Sequence, residues 1–297
     1  MILMNISKQL FGLAAAGMFM MTMSAFVEAQ PAKNTKQVTA ANKKAKADFS
    51  FLNGKTGTGP FSQWSEESLM VMLNNYLGSK IKKIIYDDSM AGSLAMLKSG
   101  RADFMLASDV SANYVIQRNP ELKSKVFSDN QGLAMVLRKS DGKLRDSLND
   151  AITKLKASGK LAMLYKKWIT ELPVGQDPAM PEVKATAYPE TVYVGVSGDV
   201  PPLDYVAADG KPSGYNVALL AEISKLIGKN IEIVPLTSMA RFAALKSKRI
   251  DVFFWLVGPS KTASAGGIQS FKEQLLTRDL IITEQYCAIR MVFLLKK

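Results

Sequence analysis

Ala95-Met-Leu-Lys-Ser-Gly-Arg-Ala-Asp-Phe-Met-Leu106 returns later in the chain as Ala243-Ala-Leu-Lys-Ser-Lys-Arg-Ile-Asp-Val-Phe-Phe254. Each copy reads as the end of a helix, a tight turn and a buried strand. Both place Leu-Lys-Ser before the turn, then Arg, then Asp two residues on, then an apolar run. Two copies imply two similar α/β halves, and the cleft between two halves is a usual seat for a small molecule. Chance similarity between two amphipathic helix–strand units is the alternative.

Outward from the echo, the flanks alternate helices with short apolar strands, the pattern of parallel sheets. Ahead of it lie a glycine-rich strand edge and turn at residues 51–60, a helix at 62–77 and a strand at 81–86. Ser89 is placed to cap the helix that ends at Gly100. Residues 133–138 form an apolar strand, and 140–169 are helical, with Leu144, Leu148, Ile152 and Leu155 on one stripe. Pro173, Pro178, Pro181 and Pro189 mark a linker. Around the second copy come strands at 191–196 and 231–235, a hairpin at 205–214, an amphipathic helix at 215–227, and late strands at 280–283 and 288–295.

With 297 residues, 47% of them hydrophobic, the chain has material for one large domain or two small ones. Lys8, the apolar run at 10–23 and Val27-Glu-Ala29 have the layout of a cleavable signal peptide, with an uncleaved anchor as the alternative. Cys287 is the only cysteine, which rules out an intramolecular disulfide; export without disulfides fits a periplasm. The chain contains no histidine, so a Ser-His-Asp triad, a Cys-His pair and a histidine zinc site are all excluded. Net charge is +12, and Lys33, Lys36, Lys43, Lys44 and Lys46 fall in one acid-free polar stretch that reads as a solvated tether. That stretch lacks interleaved aromatics, which argues against nucleic acid as a partner.

Two runs carry a family resemblance. Val192-Tyr-Val-Gly-Val, Pro201-Pro-Leu-Asp-Tyr, Asp209-Gly-Lys-Pro-Ser-Gly-Tyr and Ala218-Leu-Leu-Ala-Glu-Ile resemble the opening of the amino-acid-type solute-binding proteins of bacterial ABC importers (family 3, type II periplasmic binding proteins). Gly132-Leu-Ala-Met-Val-Leu-Arg-Lys-Ser-Asp, Leu144-Arg-Asp-Ser-Leu-Asn-Asp-Ala-Ile, Ser158-Gly-Lys-Leu and Tyr165-Lys-Lys-Trp resemble the family's closing segment. The resemblance implies an α/β, two-lobed clamshell of the periplasmic-binding-protein kind. Its parts stand in permuted order: signal peptide 1–29, basic tether 30–48, lobe-2-like domain 49–138, closing helices 139–171 packing on lobe 1, Pro-rich linker 172–189 and lobe-1-like domain 190–297. A circular permutation accounts for this order, and so does a fragment spanning two tandem domains. The expected state is a monomer, with a swapped dimer as the alternative.

The resemblance also implies ligand contacts. Ser260 stands at the Thr of the family's Thr-x-x-Arg loop, after Gly258, but Ala263 stands at the Arg, leaving Lys261 as a substitute charge. The ammonium-holding Asp falls at Ser108, with Asp109 one residue on; Asp109 reads equally as a helix cap. Thr58 and Gly59 match a turn that offers N–H groups and a hydroxyl to a carboxylate. Trp255 reads as a stacking surface or a core residue, and Asp204 and Tyr205 as rim or turn residues. Arg241 reads as an anion contact or a solvated surface residue.

The implied function is a periplasmic protein that binds a small amino acid or related organic acid and delivers it to an ABC permease in the inner membrane, with no cofactor, metal or catalysis. A ligand-sensing receptor, a truncated relative and a dehydratase-like enzyme on the same fold are the alternatives. The absent histidine counts against the last.

Overall fold

The computed structural model describes residues 48–60, 65–175, 178–181, 188–237, 239–258, 269, 272–273 and 275–297. The expected signal peptide and nearly all of the basic tether lie outside the described residues, as do Ser260 and Lys261.

In chain order the elements are β1 (Thr56–Pro60), α1 (Glu66–Leu77), β2 (Lys83–Asp87), α2 (Met90–Ser99), β3 (Phe104–Ser108), α3 (Asp109–Arg118), β4 (Leu122–Val126) and β5 (Gln131–Arg138). Helices α4 (Gly142–Ala157) and α5 (Lys160–Tyr165) follow, the latter extended by a wider turn over Lys166–Thr170. The remainder is β6 (Thr191–Val196), β7 (Asp199–Val200), β8 (Asp204–Val206), β9 (Pro212–Ser213), α6 (Tyr215–Ile227), β10 (Asn230–Pro235), α7 (Arg241–Lys246), β11 (Val252–Gly258), β12 (Leu280–Ile282), β13 (Cys287–Ile289) and β14 (Met291–Lys296).

Local chemistry sets the helix ends. Ser65, Ser89 and Ser108 each sit in extended backbone and accept the N–H three residues on, from Ser68, Gly92 and Ser111, so each satisfies an otherwise unpaired donor. Gly78 and Gly228 end α1 and α6 in the left-handed conformation. Gly159, at φ 72°, separates α4 from α5 where the sequence predicts a break.

The strands form two large sheets and a small one. The five-stranded sheet has the order β2-β1-β3-β14-β4, and the six-stranded sheet the order β10-β6-β11-β5-β12, with β13 also paired to β5. Within each, the unit's second, first and third strands come in that order, then a strand that arrives from the other unit, then a fourth strand. The two units therefore share one topology and exchange a strand: β5 runs antiparallel to β11, and β14 antiparallel to β3 and β4.

The echo that opened the sequence occupies the same place in both units, α2 to β3 in one and α7 to β11 in the other. The turns close alike, with Ala102 N–H donating to Met96 O at 3.1 Å and Ile250 N–H to Ala244 O at 3.3 Å. Gly100 takes φ 82° at the first turn and Lys248 takes φ 62° at the second. The repeated Asp has one job in both copies. Asp103 N–H donates to Thr56 O at 2.7 Å while its Oδ2 accepts Thr56 N–H at 2.9 Å. Asp251 N–H donates to Tyr193 O at 2.8 Å and its Oδ2 accepts Tyr193 N–H at 3.1 Å. A carboxylate at this point ties the third strand to the first just before their ladder begins. Arg101 and Arg249, also repeated, are exposed.

One expected boundary is corrected. Residues 190–297 read as a single unit with one late strand at 288–295, but that run breaks at Arg290, and β14 crosses into the five-stranded sheet. Its apolar sequence suits either sheet, so periodicity does not reveal the crossing. The strand β4 was not anticipated; Leu122-Lys-Ser-Lys-Val126 is too polar to announce itself.

The larger apolar core joins β5, β6 and β11 to α4, α5 and α6 and encloses Trp168 completely. The helices at 139–171 pack there, against the six-stranded unit. Separate clusters lie on the two faces of the five-stranded sheet, one around Phe104 and Phe293, the other around Met90, Leu97, Met105 and Val292. Among the described residues, no helix is long and apolar enough to cross a membrane.

Candidate interlobe binding site

Parallel strands end with their carbonyl edges pointing one way, and ligands of open α/β sheets collect outside those carboxyl ends. Here the ends of β3 and β6 lead to the places where the two units meet: Asp109, after β3, binds Arg290 on the crossing, and Asp199, after β6, binds Met90 of α2. The crossing is double. Residues 127–130 lead from β4 to β5, and Arg290 alone joins β13 to β14 in the opposite direction. The two passes are tied together: Phe127 N–H donates to Met291 O at 3.0 Å, and Met291 N–H to Ser128 Oγ at 2.7 Å. Phe127 stacks on Phe293 at 4.3 Å.

Ser108 and Asp109 stand at the end of β3, as expected, but their groups are engaged. Ser108 Oγ accepts the Ser111 N–H and caps α3. Asp109 is the first residue of that helix rather than its cap. Its Oδ2 accepts Arg290 Nε–H at 2.9 Å, its Oδ1 accepts Arg290 N–H at 3.0 Å, and its own N–H donates to Arg290 O at 2.8 Å. The expected ammonium-holding carboxylate thus grips the crossing residue. Arg290 carried no sequence signal, since it lies 181 positions from its partner.

Thr58 and Gly59 form no turn. Both are internal to β1, with Thr58 paired to Ile85 on one side and Met105 on the other. Thr58 is fully buried, and its hydroxyl has no hydrogen-bond partner. Asp204 is not a rim residue either. It is fully buried; its Oδ1 accepts Ser197 Oγ–H at 2.8 Å and Gly198 N–H at 3.0 Å, and its Oδ2 accepts Asn216 Nδ2–H at 2.8 Å. These bonds fix the β7–β8 hairpin to the start of α6. Tyr205, also buried, sets its ring 6.3 Å from that of Tyr114 in the opposite unit. Trp255 lies in the backbone of β11, and Gly258 ends that strand opposite Gly132. A Cβ on Gly132 would fall 1.9 Å from Gln285 Cδ, so the glycine is what lets Gln285 lie over this end of the sheet.

Arg241 opens α7 at the carboxyl edge of the six-stranded sheet. It is half-buried rather than solvated; Nη1 donates to Phe254 O at 3.3 Å, and the guanidinium lies 5.6 Å from the Phe253 ring centre. Burial pushes its pKa down, while Asp204 and Asp199 nearby act to hold the charge. Behind the site, burial raises the Cys287 thiol to about 12 and Tyr165 to about 12 as well. Tyr215 Oη–H donates to Tyr286 O at 3.0 Å, within the larger core. Among the described residues, no group of three or more Cys, Asp or Glu side chains is placed to hold a metal ion.

The family model of bacterial extracellular solute-binding proteins, family 3, matches residues 29–171 and 192–261, well over half the chain. The chain belongs to that family. A local match to the L-cystine-binding protein TcyJ of Escherichia coli K12 is 36% identical over 62 residues, covering 21% of this chain and 23% of the relative. That match spans under a quarter of the relative's length. Among solved structures, holo ArgBP from T. maritima is 15% identical, with a TM-score of 0.36 over 82% of this chain and 83% of its own. A zinc-bound ligand-binding component of an ABC-type import system from Staphylococcus aureus is 14% identical, with a TM-score of 0.41 over 82% of this chain and 65% of its own.

Proposed function

We propose that this solute-binding protein captures a small polar solute, an amino acid or related organic acid, in the crevice between its two units. The family match carries the reading, and the division into two like-built α/β units, whose strand ends are a usual place for a ligand, supports it. Arg241 is the proposed anion contact, in place of the arginine that Ala263 lacks. Ser108 and Gly258 stand at the ends of β3 and β11, Trp255 is proposed from its place near the end of β11, and Ser260 and Lys261 follow from the family pattern alone. The apolar N-terminal run reads as an export signal, which puts the protein in the periplasm, with an ABC permease as the receiving partner and binding rather than catalysis as its task. The order of the units reads as a circular permutation, because the stretch that resembles the family's closing segment, 132–168, precedes the one that resembles its opening, 192–223.

A thermal-shift panel of amino acids and small organic acids tests the reading. Ligand at 100 times its Kd stabilises a single-site protein by about 2.7 kcal/mol. One class should raise the midpoint in the wild type and raise it much less in Arg241→Ala. A well-folded protein that responds to no member of the panel would count against a solute-binding role. An equal response in wild type and variant would remove Arg241 from the site.

A further inference from the structure

Three neighbouring side chains of the β7–β8 hairpin reach the five-stranded unit. Asp199 Oδ2 accepts the Met90 N–H of α2 at 3.1 Å. Val200 packs against the apolar cluster of Met90, Leu97, Met105 and Val115, which belongs to the five-stranded unit. The Tyr205 ring faces that of Tyr114 on α3, and the Arg118 guanidinium covers the other ring's surface at 3.5 Å from the Tyr114 centroid.

Each contact has its own physical basis. Met90 is the first residue of α2, so its N–H is a donor that the helix itself cannot satisfy, and a carboxylate there also meets the positive end of the helix dipole. Val200 removes apolar surface from water in the partner unit's core. The tyrosines add an aromatic contact. The hairpin that carries all three is itself rigid. Buried Asp204 binds Ser197, Gly198 and Asn216, Val206 N–H donates to Gly198 O at 3.0 Å, and Tyr215 N–H to Pro202 O at 3.0 Å. A carboxylate, an apolar anchor and a ring on one rigid hairpin make a clasp between units that are also joined by the double crossing and by Val110 of α3, which packs into the larger core.

We propose that the β7–β8 hairpin is an intramolecular clasp that holds the two units closed by the protein's own groups, without a solute. The proposal goes beyond the binding role and does not depend on the solute's identity. It is tested by pulsed electron spin resonance on the full chain, stripped of carried-over solute by unfolding and refolding. Spin labels go at Glu67→Cys on α1 and Lys154→Cys on α4, two exposed sites in different units. The wild-type background should give one narrow distance distribution that added amino acids leave in place. Asp199→Ala combined with Val200→Ser should lower the closed-to-open ratio about tenfold and bring in longer distances. Asp209→Ala, in the neighbouring β8–β9 turn and outside the clasp, should leave the distribution unchanged. A broad or long distribution in the wild-type background would overturn the proposal, and so would a double variant identical to it. Circular dichroism confirms that each variant is folded. Solute binding by the wild type is read separately, so a protein that binds but rests open refutes only the clasp.

Discussion

Lys248 occupies a left-handed turn, φ 62°, that its counterpart Gly100 adopts at φ 82° in the other unit. A Cβ in this conformation approaches its own following carbonyl, at a cost of about 1–2 kcal/mol per residue. Glycine avoids that cost but loses more chain entropy on folding, about 0.5–1 kcal/mol. Lys248 is exposed and forms no ion pair among the described residues, so its replacement removes none of the ion pairs described. The difference leaves Lys248→Gly more stable by about 0.5–1 kcal/mol. The reciprocal change, Gly100→Ala, should destabilise by about 1 kcal/mol or more. Nothing crowds a Cβ there, since the nearest atom is Lys296 Nζ at 3.9 Å, so the loss would be purely conformational. Urea denaturation reads both from the midpoint at constant slope. At this chain size a gain of that order raises the thermal midpoint by about 1–4 °C. A lower midpoint for Lys248→Gly, with the slope unchanged, would refute the reasoning that the two turns are equivalent.

Thr58→Val should stabilise by about 1 kcal/mol in the same assay, because it replaces a buried hydroxyl lacking a partner with an isosteric methyl; a loss of stability would mean that the hydroxyl is satisfied. Arg138 pairs with Asp251 at 2.6 Å and donates to Leu245 O at 2.9 Å beside the second turn. Arg138→Ala should therefore cost about 2–4 kcal/mol, and lysine should recover little of it for want of the planar fork, as chemical denaturation would show. Burial acts to raise the Asp103 carboxyl, but the Thr56 N–H and Lys55 outweigh it and hold it below the usual value. A depressed carboxyl stabilises above its unfolded value, near 3.9, and that contribution is lost as pH falls through the folded one. Asp103→Asn should accordingly be less stable than wild type at neutral pH and converge with it in acid; a constant gap down to pH 2 would contradict this. The Cys287 thiol, buried and raised to about 12, should resist a thiol reagent at pH 8 until the protein unfolds.

Much of the architecture is written locally. The stripe on α4, the cap at Ser89 and the glycine stops depend on residues within a turn or two of one another, so a linear reading reaches them, while the caps at Ser65 and Ser108 escape it, the first inside a helix expected to begin at 62 and the second read as a ligand position. The repeated Leu-Lys-Ser, Arg and Asp announced two like units for a reason visible in the sheets. Its Asp ties the third strand to the first in each. Other features needed the fold. Whether Met291–Lys296 stays with its own unit or crosses depends on which sheet has an open place beside β3 and β4, and an apolar run is equally at home in either. Asp109 looked like a ligand contact because its distant partner Arg290 could not be seen, and Asp204 looked like a rim residue because its burial is set by Ser197, Gly198 and Asn216 closing around it. Sequence alone determined the class of the chain and the repetition of its units, since both rest on local patterns. Tertiary structure alone decided which strands are exchanged and which polar groups are already paired within the protein, because those outcomes depend on pairings between residues far apart in the chain.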